Sequence, residues 1–141
     1  MIQYSAFGWL CRLLRQTNSS RERERRMIES DRSGVIHLAE ARMGIPGPAG
    51  DHSVSLLRRG SLQVRLSLPV VPNQQTPHEQ DEVYVIIRGR GILLHDGERE
   101  PFEAGDLLSV AAGTEHHFED FTEDLAVWVV FYGPGGGELP V

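Results

Sequence analysis

The chain has 141 residues, 14 basic and 20 acidic, for a formal charge of -6 with histidine neutral. That length suits one domain with an enclosed core and leaves too little for a second complete one. With 40 % apolar and 24 % charged residues the composition is that of a globular protein, and no apolar run nears the ~20 residues that a membrane-spanning helix needs.

Cys11 is the only cysteine, so no internal disulfide or cysteine-based zinc cluster forms, and a reducing, cytoplasmic setting is expected. Every basic residue is an arginine. Chemistry that needs a lysine, such as a Schiff base or a phosphate-loop lysine, is therefore excluded. Residues 1–26 carry six arginines against Glu22 and Glu24, while residues 27–141 carry eight arginines against 18 acids. A body that acidic is not expected to bind nucleic acid or an anionic membrane.

In the first 26 residues Tyr4, Phe7, Leu10, Cys11 and Leu14 recur at helical spacing. Glu22 stands four before Arg26, which supports a solvated helix surface. This N-terminal extension reads as an amphipathic helix, as a passive extension ahead of a natural start at Met27, or as a targeting peptide without a clear cleavage site. Residues 27–141 form the domain itself.

Short strands follow. Val35-Ile36-His37-Leu38 is a plausible first strand, and the glycines and prolines from Met43 to Gly50 mark a loop. Leu62, Val64, Leu66 and Leu68 alternate with Gln63, Arg65 and Ser67, the period of a half-buried strand. Val83 to Ile87 is rich in branched and aromatic residues; Gly89-Arg90-Gly91 then turns the chain into Ile92-Leu93-Leu94. Asp96-Gly97 is a strong tight-hairpin signal. Leu107 to Val110, His116 to Phe118 and Ala126 to Tyr132 complete about eight strands, with no convincing helix after residue 40. The glycine-rich tail from Gly133 is expected to leave the domain as a flexible end. The fold class is all-β, a sandwich or barrel.

Two segments combine ligand residues with strand and turn signals. Thr76-Pro77-His78-Glu79-Gln80-Asp81-Glu82 is the first, and Gly105 to Phe118, with Gly113 and His116, is the second. Imidazole and carboxylate are the usual ligands of intermediate divalent metals. On one straight strand His78 and Glu82 would lie about 13 Å apart, too far to share an ion, so the chain has to bend at Glu79-Gln80-Asp81.

These segments resemble the two motifs of the cupin superfamily, over roughly residues 60–133. In the first motif, His-x-His is followed after three or four residues by Glu and, six residues later, by Gly; His78, Glu82 and Gly89 fit. In the second, Gly105, Gly113 and His116 fall at the expected offsets, and 15 residues separate Gly89 from Gly105. Departures are Val70 for a glycine, Thr76 for the first histidine, Ala111 for a proline and Asp120 for an asparagine.

The resemblance implies a cupin-type double-stranded β-helix, or jelly-roll barrel, with a divalent metal (Fe, Mn, Ni or Zn) held by His78, Glu82 and His116. Gln75 is a possible extra ligand. A small organic substrate would bind at the open positions, with Tyr84 a candidate for proton transfer. Homodimerisation through a barrel sheet is a further expectation from the family. Parity along the strands puts Tyr84 and Ile86 on the face of Glu82, and Phe118 on that of His116, with His117 pointing away. On the last strand either Trp128 and Val130 or Val127 and Val129 face inward; Thr76, Ile86, Phe118 and Trp128 are taken as candidate pocket residues. Among enzymatic readings an oxygenase-like site is favoured, since two histidines and one carboxylate with open positions suit ferrous iron. Isomerase or lyase chemistry, and a non-catalytic module that binds or senses a small ligand, are the alternatives.

Overall fold

A computed structural model describes residues 33–141, so the helix expected within residues 1–26 lies outside the described residues. The order is α1 (Leu38–Arg42), β1 (Ser53–Arg59), β2 (Leu62–Ser67), β3 (Asp81–Arg88), β4 (Arg90–His95), β5 (Glu98–Glu103), β6 (Leu107–Val110), β7 (His116–Glu119) and β8 (Ala126–Tyr132). Five strands form one sheet in the order β1-β2-β8-β3-β6, and three form a second in the order β5-β4-β7. All pairings are antiparallel. No helix among the described residues is long and apolar enough to cross a membrane.

The two sheets close on a shared interior. Tyr84, Ile86, Val110, Val127 and Val129 of the larger sheet pack with Leu93, Phe102 and Phe118 of the smaller. Phe118 makes edge contacts with Tyr84 and Phe102, at ring separations of 5.0 and 5.3 Å, each worth about 0.5–1.5 kcal/mol beyond area burial. These residues alternate along their strands, so each strand gives one face to this interior and the other to its surroundings.

The segment expected to begin the strands does not do so. Val35 to His37 are exposed and irregular, and Leu38-Ala39-Glu40-Ala41-Arg42 turns into α1. All five of these residues are strong helix formers, and Leu38, Ala41 and Ile45 stand at helical spacing. They pack on Leu56, Leu66 and Trp128, covering the outside of the five-stranded sheet. β1 was not visible as a strand, because its serines and arginines dilute the apolar alternation and a register shift between Ser55 and Leu57 interrupts it.

The hairpin signal at Asp96-Gly97 is realised as a two-residue turn between His95 and Glu98, with φ of 47° and 81°. Asp120, at the motif's asparagine position, also has positive φ, 47°. A short polar side chain tolerates that conformation, so the replacement keeps the turn. The tail is not a loose end. Gly136 N–H donates to the Glu79 carbonyl at 2.7 Å, Glu138 N–H to the Asp81 carboxylate at 2.7 Å, and the Gln80 amide to the Gly133 carbonyl at 2.9 Å. The tail is thus folded back against the bend that precedes β3.

Gly89 and Gly97 both have positive φ, but a Cβ at Gly89 would lie 2.9 Å from the Leu125 Cα, whereas Gly97 faces open space. Gly89→Ala should therefore cost about 2–4 kcal/mol, from backbone strain plus overpacking. Gly97→Ala should cost about 1 kcal/mol, from strain alone. Urea unfolding of the two variants checks this, and equal losses would contradict it.

Candidate metal centre

β3 begins at Asp81, and Glu79-Gln80 form the bend that the ligand spacing requires. Two groups hold that bend. The Asp81 carboxylate accepts from the Glu138 and Ala112 N–H groups, which pull its pKa below the usual carboxylate range. The His78 carbonyl accepts from Gly113 N–H at 2.8 Å, which ties the first motif to the loop that delivers His116. His78 is thereby turned back over the start of β3, and His116 enters from β7 in the opposite sheet.

His78, Glu82 and His116 offer ligand atoms that all lie within 4.8 Å of one another. Glu82 Oε2 is 2.5 Å from His78 Nε2 and 3.2 Å from His116 Nε2. Glu82 and the His116 side chain are buried, while His78 is partly open. The protonation pattern is informative. His78 Nδ1 lies 2.7 Å from the Gln80 carbonyl and His116 Nδ1 lies 2.9 Å from the Thr114 carbonyl. A carbonyl only accepts, so each Nδ1 carries the hydrogen, and in a neutral ring each Nε2 presents a lone pair. Two lone pairs and a carboxylate oxygen then face one point, an arrangement that is repulsive until a cation or extra protons occupy it.

Tyr84 adds to this. Its hydroxyl lies 2.6 Å from Glu82 Oε2, 2.8 Å from Gln75 Oε1 and 3.0 Å from His116 Nε2. One hydroxyl hydrogen faces three acceptors. Burial, reinforced by the Glu82 charge and hydrogen bond, pushes the Tyr84 pKa far above its ordinary value. For His116, burial opposes the charged form, but the bond to Glu82, the Thr114 carbonyl and the Glu82 charge together raise its pKa. A metal entering here competes with that proton, so acid disfavours the metal. The donor set fits a divalent first-row ion: two imidazole nitrogens and one carboxylate oxygen, already converged, with the imidazoles oriented by backbone carbonyls.

Above the triad opens a cavity of about 220 Å³, lined among others by Arg65, Asn73, Gln75, Tyr84, Phe118 and Val129. The candidate pocket residues divide. Phe118 lines the cavity; Ile86 lies in the core beside it. Trp128 points the other way, because it pairs with Leu66 and packs under α1, and Val127 and Val129 face inward in its place. Thr76 is exposed, and it is Gln75, one residue earlier, whose amide reaches Tyr84. His117 is half-exposed and meets Glu119, as parity required.

Several cavity residues were not singled out in the sequence. Asn73 Oδ1 accepts from Phe118 N–H and from the Gln75 amide, both contacts under 3 Å, pinning the segment before β3 to β7. Ser53, Arg65 and Ser67 line the cavity from β1 and β2. The available signal was the polar half of the alternation in β2, which turns inward while the leucines turn out to α1.

Comparison with known proteins agrees with this architecture. Residues 69–132 match the family model described as "Cupin domain". The chain is 40 % identical over 62 residues to the uncharacterized protein SCO3923 of Streptomyces coelicolor, a match spanning 44 % of this chain and 59 % of that protein's length. A structural-genomics protein from Rhizobium leguminosarum superposes with a TM-score of 0.58 at 19 % identity, covering 72 % of this chain and 97 % of the other. A Cupin 2 conserved barrel domain protein from Salinispora arenicola gives 0.52 at 17 % identity, with 73 % and 91 % covered. The DMSP lyase DddQ from Ruegeria pomeroyi gives 0.50 at 20 % identity, with 57 % and 46 % covered. At these identities the likeness is one of fold. With two sheets closed on a common interior and both motif segments facing each other across it, the chain has a cupin-type β-barrel fold, and its residues 69–132 match the cupin domain family.

Proposed function

We propose that this cupin domain holds one divalent metal ion through His78 Nε2, His116 Nε2 and Glu82 Oε2, and acts on a small organic molecule admitted through the adjoining cavity. The observation that carries the reading is the convergence of two carbonyl-oriented imidazole lone pairs on one buried carboxylate oxygen. When bound, the ion supplies Lewis acidity or redox chemistry to a substrate atom placed beside it. The chain's own groups do the remainder. The cavity walls of Phe118, Val127, Val129 and Phe131 exclude water and orient the molecule. Tyr84 holds a proton at its hydroxyl next to the triad, where it hydrogen-bonds a substrate oxygen or donates to it. Gln75 fixes the direction of that hydroxyl. Iron and oxygenase-type chemistry suit a two-histidine, one-carboxylate set, and isomerase or lyase chemistry uses the same acid and the same proton donor. A non-catalytic, ligand-sensing role is the second reading, favoured by the exposed Thr76 where the family motif has a histidine.

Purified protein reconstituted with iron(II), manganese, nickel or zinc should take up one equivalent of at least one of them. His78→Ala, His116→Ala and Glu82→Gln should each weaken that metal at least about 100-fold with the barrel still folded by circular dichroism. His117→Ala should leave affinity unchanged. Failure of all four metals to bind stoichiometrically, or equal losses at 116 and 117, would reject the site.

Gln75→His should tighten the metal by adding a fourth nitrogen from the position that reaches inward. Thr76→His, on the exposed side, should not change it. Metal competition titrations of the two variants decide the register, and the reverse order would show that the strand end turns the other way.

Tyr84→Phe separates catalysis from ligand sensing. It should retain the metal and lose turnover for an enzyme, but change only ligand affinity for a sensor. Turnover screening of the metal-loaded protein against small organic acids, with the phenylalanine variant as control, reads this out.

A further inference from the structure

Glu82 of the triad and Tyr84 line one wall of the cavity; the opposite wall carries a cation with no counter-ion among the described residues. Arg65 of β2 is the Cα partner of Val129 in β8, and Val129 is in turn the partner of Tyr84 in β3. The three share one row on the inner face, so Arg65 stands two strands from Tyr84, roughly 10 Å at ~4.8 Å per strand. Its side chain is half-buried and lines the cavity together with Ser53 and Ser67. Arg65 Nε donates to Ser53 Oγ at 3.0 Å. Among the described residues the terminal guanidinium nitrogens meet no carboxylate, and the acid that lines the same cavity, Glu82, is engaged by His78, His116 and Tyr84.

A guanidinium stays protonated throughout the working pH range, and its planar fork matches a carboxylate with two parallel hydrogen bonds. Holding such a charge partly out of water without a partner is costly. The hydroxyl on Nε fixes the direction of the fork without neutralising it. Among the described residues lining the cavity Arg65 is the one cation, so the charge it can match is a single negative one. The cavity, at about 220 Å³, is below the usual range for drug-sized ligands, roughly 300–1,000 Å³.

We propose that Arg65 anchors the carboxylate of a small organic acid, whose other end lies toward Tyr84 and the triad. Arg65 is then the specificity-determining residue of the cavity, choosing acids over the corresponding neutral amides. The anchor itself stands on the geometry of β2. The direction of the far end rests on the metal reading given above.

The test uses the full chain, with and without one equivalent of metal, and the probes succinate and glutarate against their diamides and methyl phosphate. Calorimetry and thermal shift should show both diacids binding wild type and raising its midpoint, with the diamides at least about tenfold weaker. Arg65→Gln should lose about 10- to 100-fold in diacid affinity, the range for charge-assisted hydrogen bonds, with metal stoichiometry unchanged; Arg65→Lys should recover part of it. Equal binding of diacid and diamide, unchanged affinity in Arg65→Gln, no diacid binding up to about 20 mM, or tighter Arg65-dependent binding of methyl phosphate would overturn the proposal. The two readings fail separately. Arg65-dependent diacid binding in a protein that takes no metal upholds the anchor and rejects the metal site, whereas metal uptake without it does the reverse.

Discussion

The site depends on the bend at Glu79-Gln80, which places two residues four apart in sequence against one another instead of about 13 Å apart along a strand. Without it His78 Nε2 and Glu82 Oε2 could not come within 2.5 Å. The bend is held from both sides. The tail donates to the Glu79 carbonyl and the Asp81 carboxylate, and the loop after β6 donates to Asp81 and to the His78 carbonyl. The same contacts that shape the first motif therefore fix its distance from the second. A polar network with every member partnered is rigid where a partly satisfied one is not.

Convergence of the ligands comes at an electrostatic cost. Backbone carbonyls commit each Nδ1 hydrogen and leave two lone pairs aimed at a carboxylate oxygen. The apolar interior behind them, with Phe118, Val127 and Val129, lowers the local dielectric and sharpens that repulsion. A site of this kind is stable when a cation is shared and strained when it is not, and the raised pKa of His116 expresses the same tension in terms of protons. Tyr84 sits where that tension meets the cavity, its one hydrogen shared among three acceptors.

The larger sheet is used on both faces. Its outer face is leucine-rich at β2 and is closed by α1, while its inner face at the same strands carries Ser53, Arg65 and Ser67. A binding cavity in so small a barrel requires this inversion. Were the leucines turned inward, the barrel would fill with side chains and leave no room beside the triad. Burial of Leu56 and Leu66 under a five-residue helix thus frees the interior of β1 and β2 for polar contacts.

Much of this was legible in the residues alone. The period of two along β2, the branched and aromatic content of β3 and β8, the Asp-Gly turn and the spacing of His78, Glu82, Gly89, Gly105, Gly113 and His116 depend only on local geometry and on fixed offsets, which a linear string records. So does the parity that sets His116 apart from His117. What depended on the third dimension was not legible. Whether Val127 or Trp128 faces inward is decided by which side of the sheet α1 covers, and both residues are apolar. The strand expected at Val35 to Leu38 does not form: Val35 to His37 stay irregular and exposed, and Leu38 begins the helix, because a short apolar run becomes a strand only where a sheet edge is there to pair with it. The anchoring of the glycine-rich tail, the inward turn of Gln75 in place of Thr76, and the facing of Arg65 toward the cavity all rest on partners 9 to 57 positions away in the chain. Periodicity fixes which residues share a face; only packing fixes which face is inside.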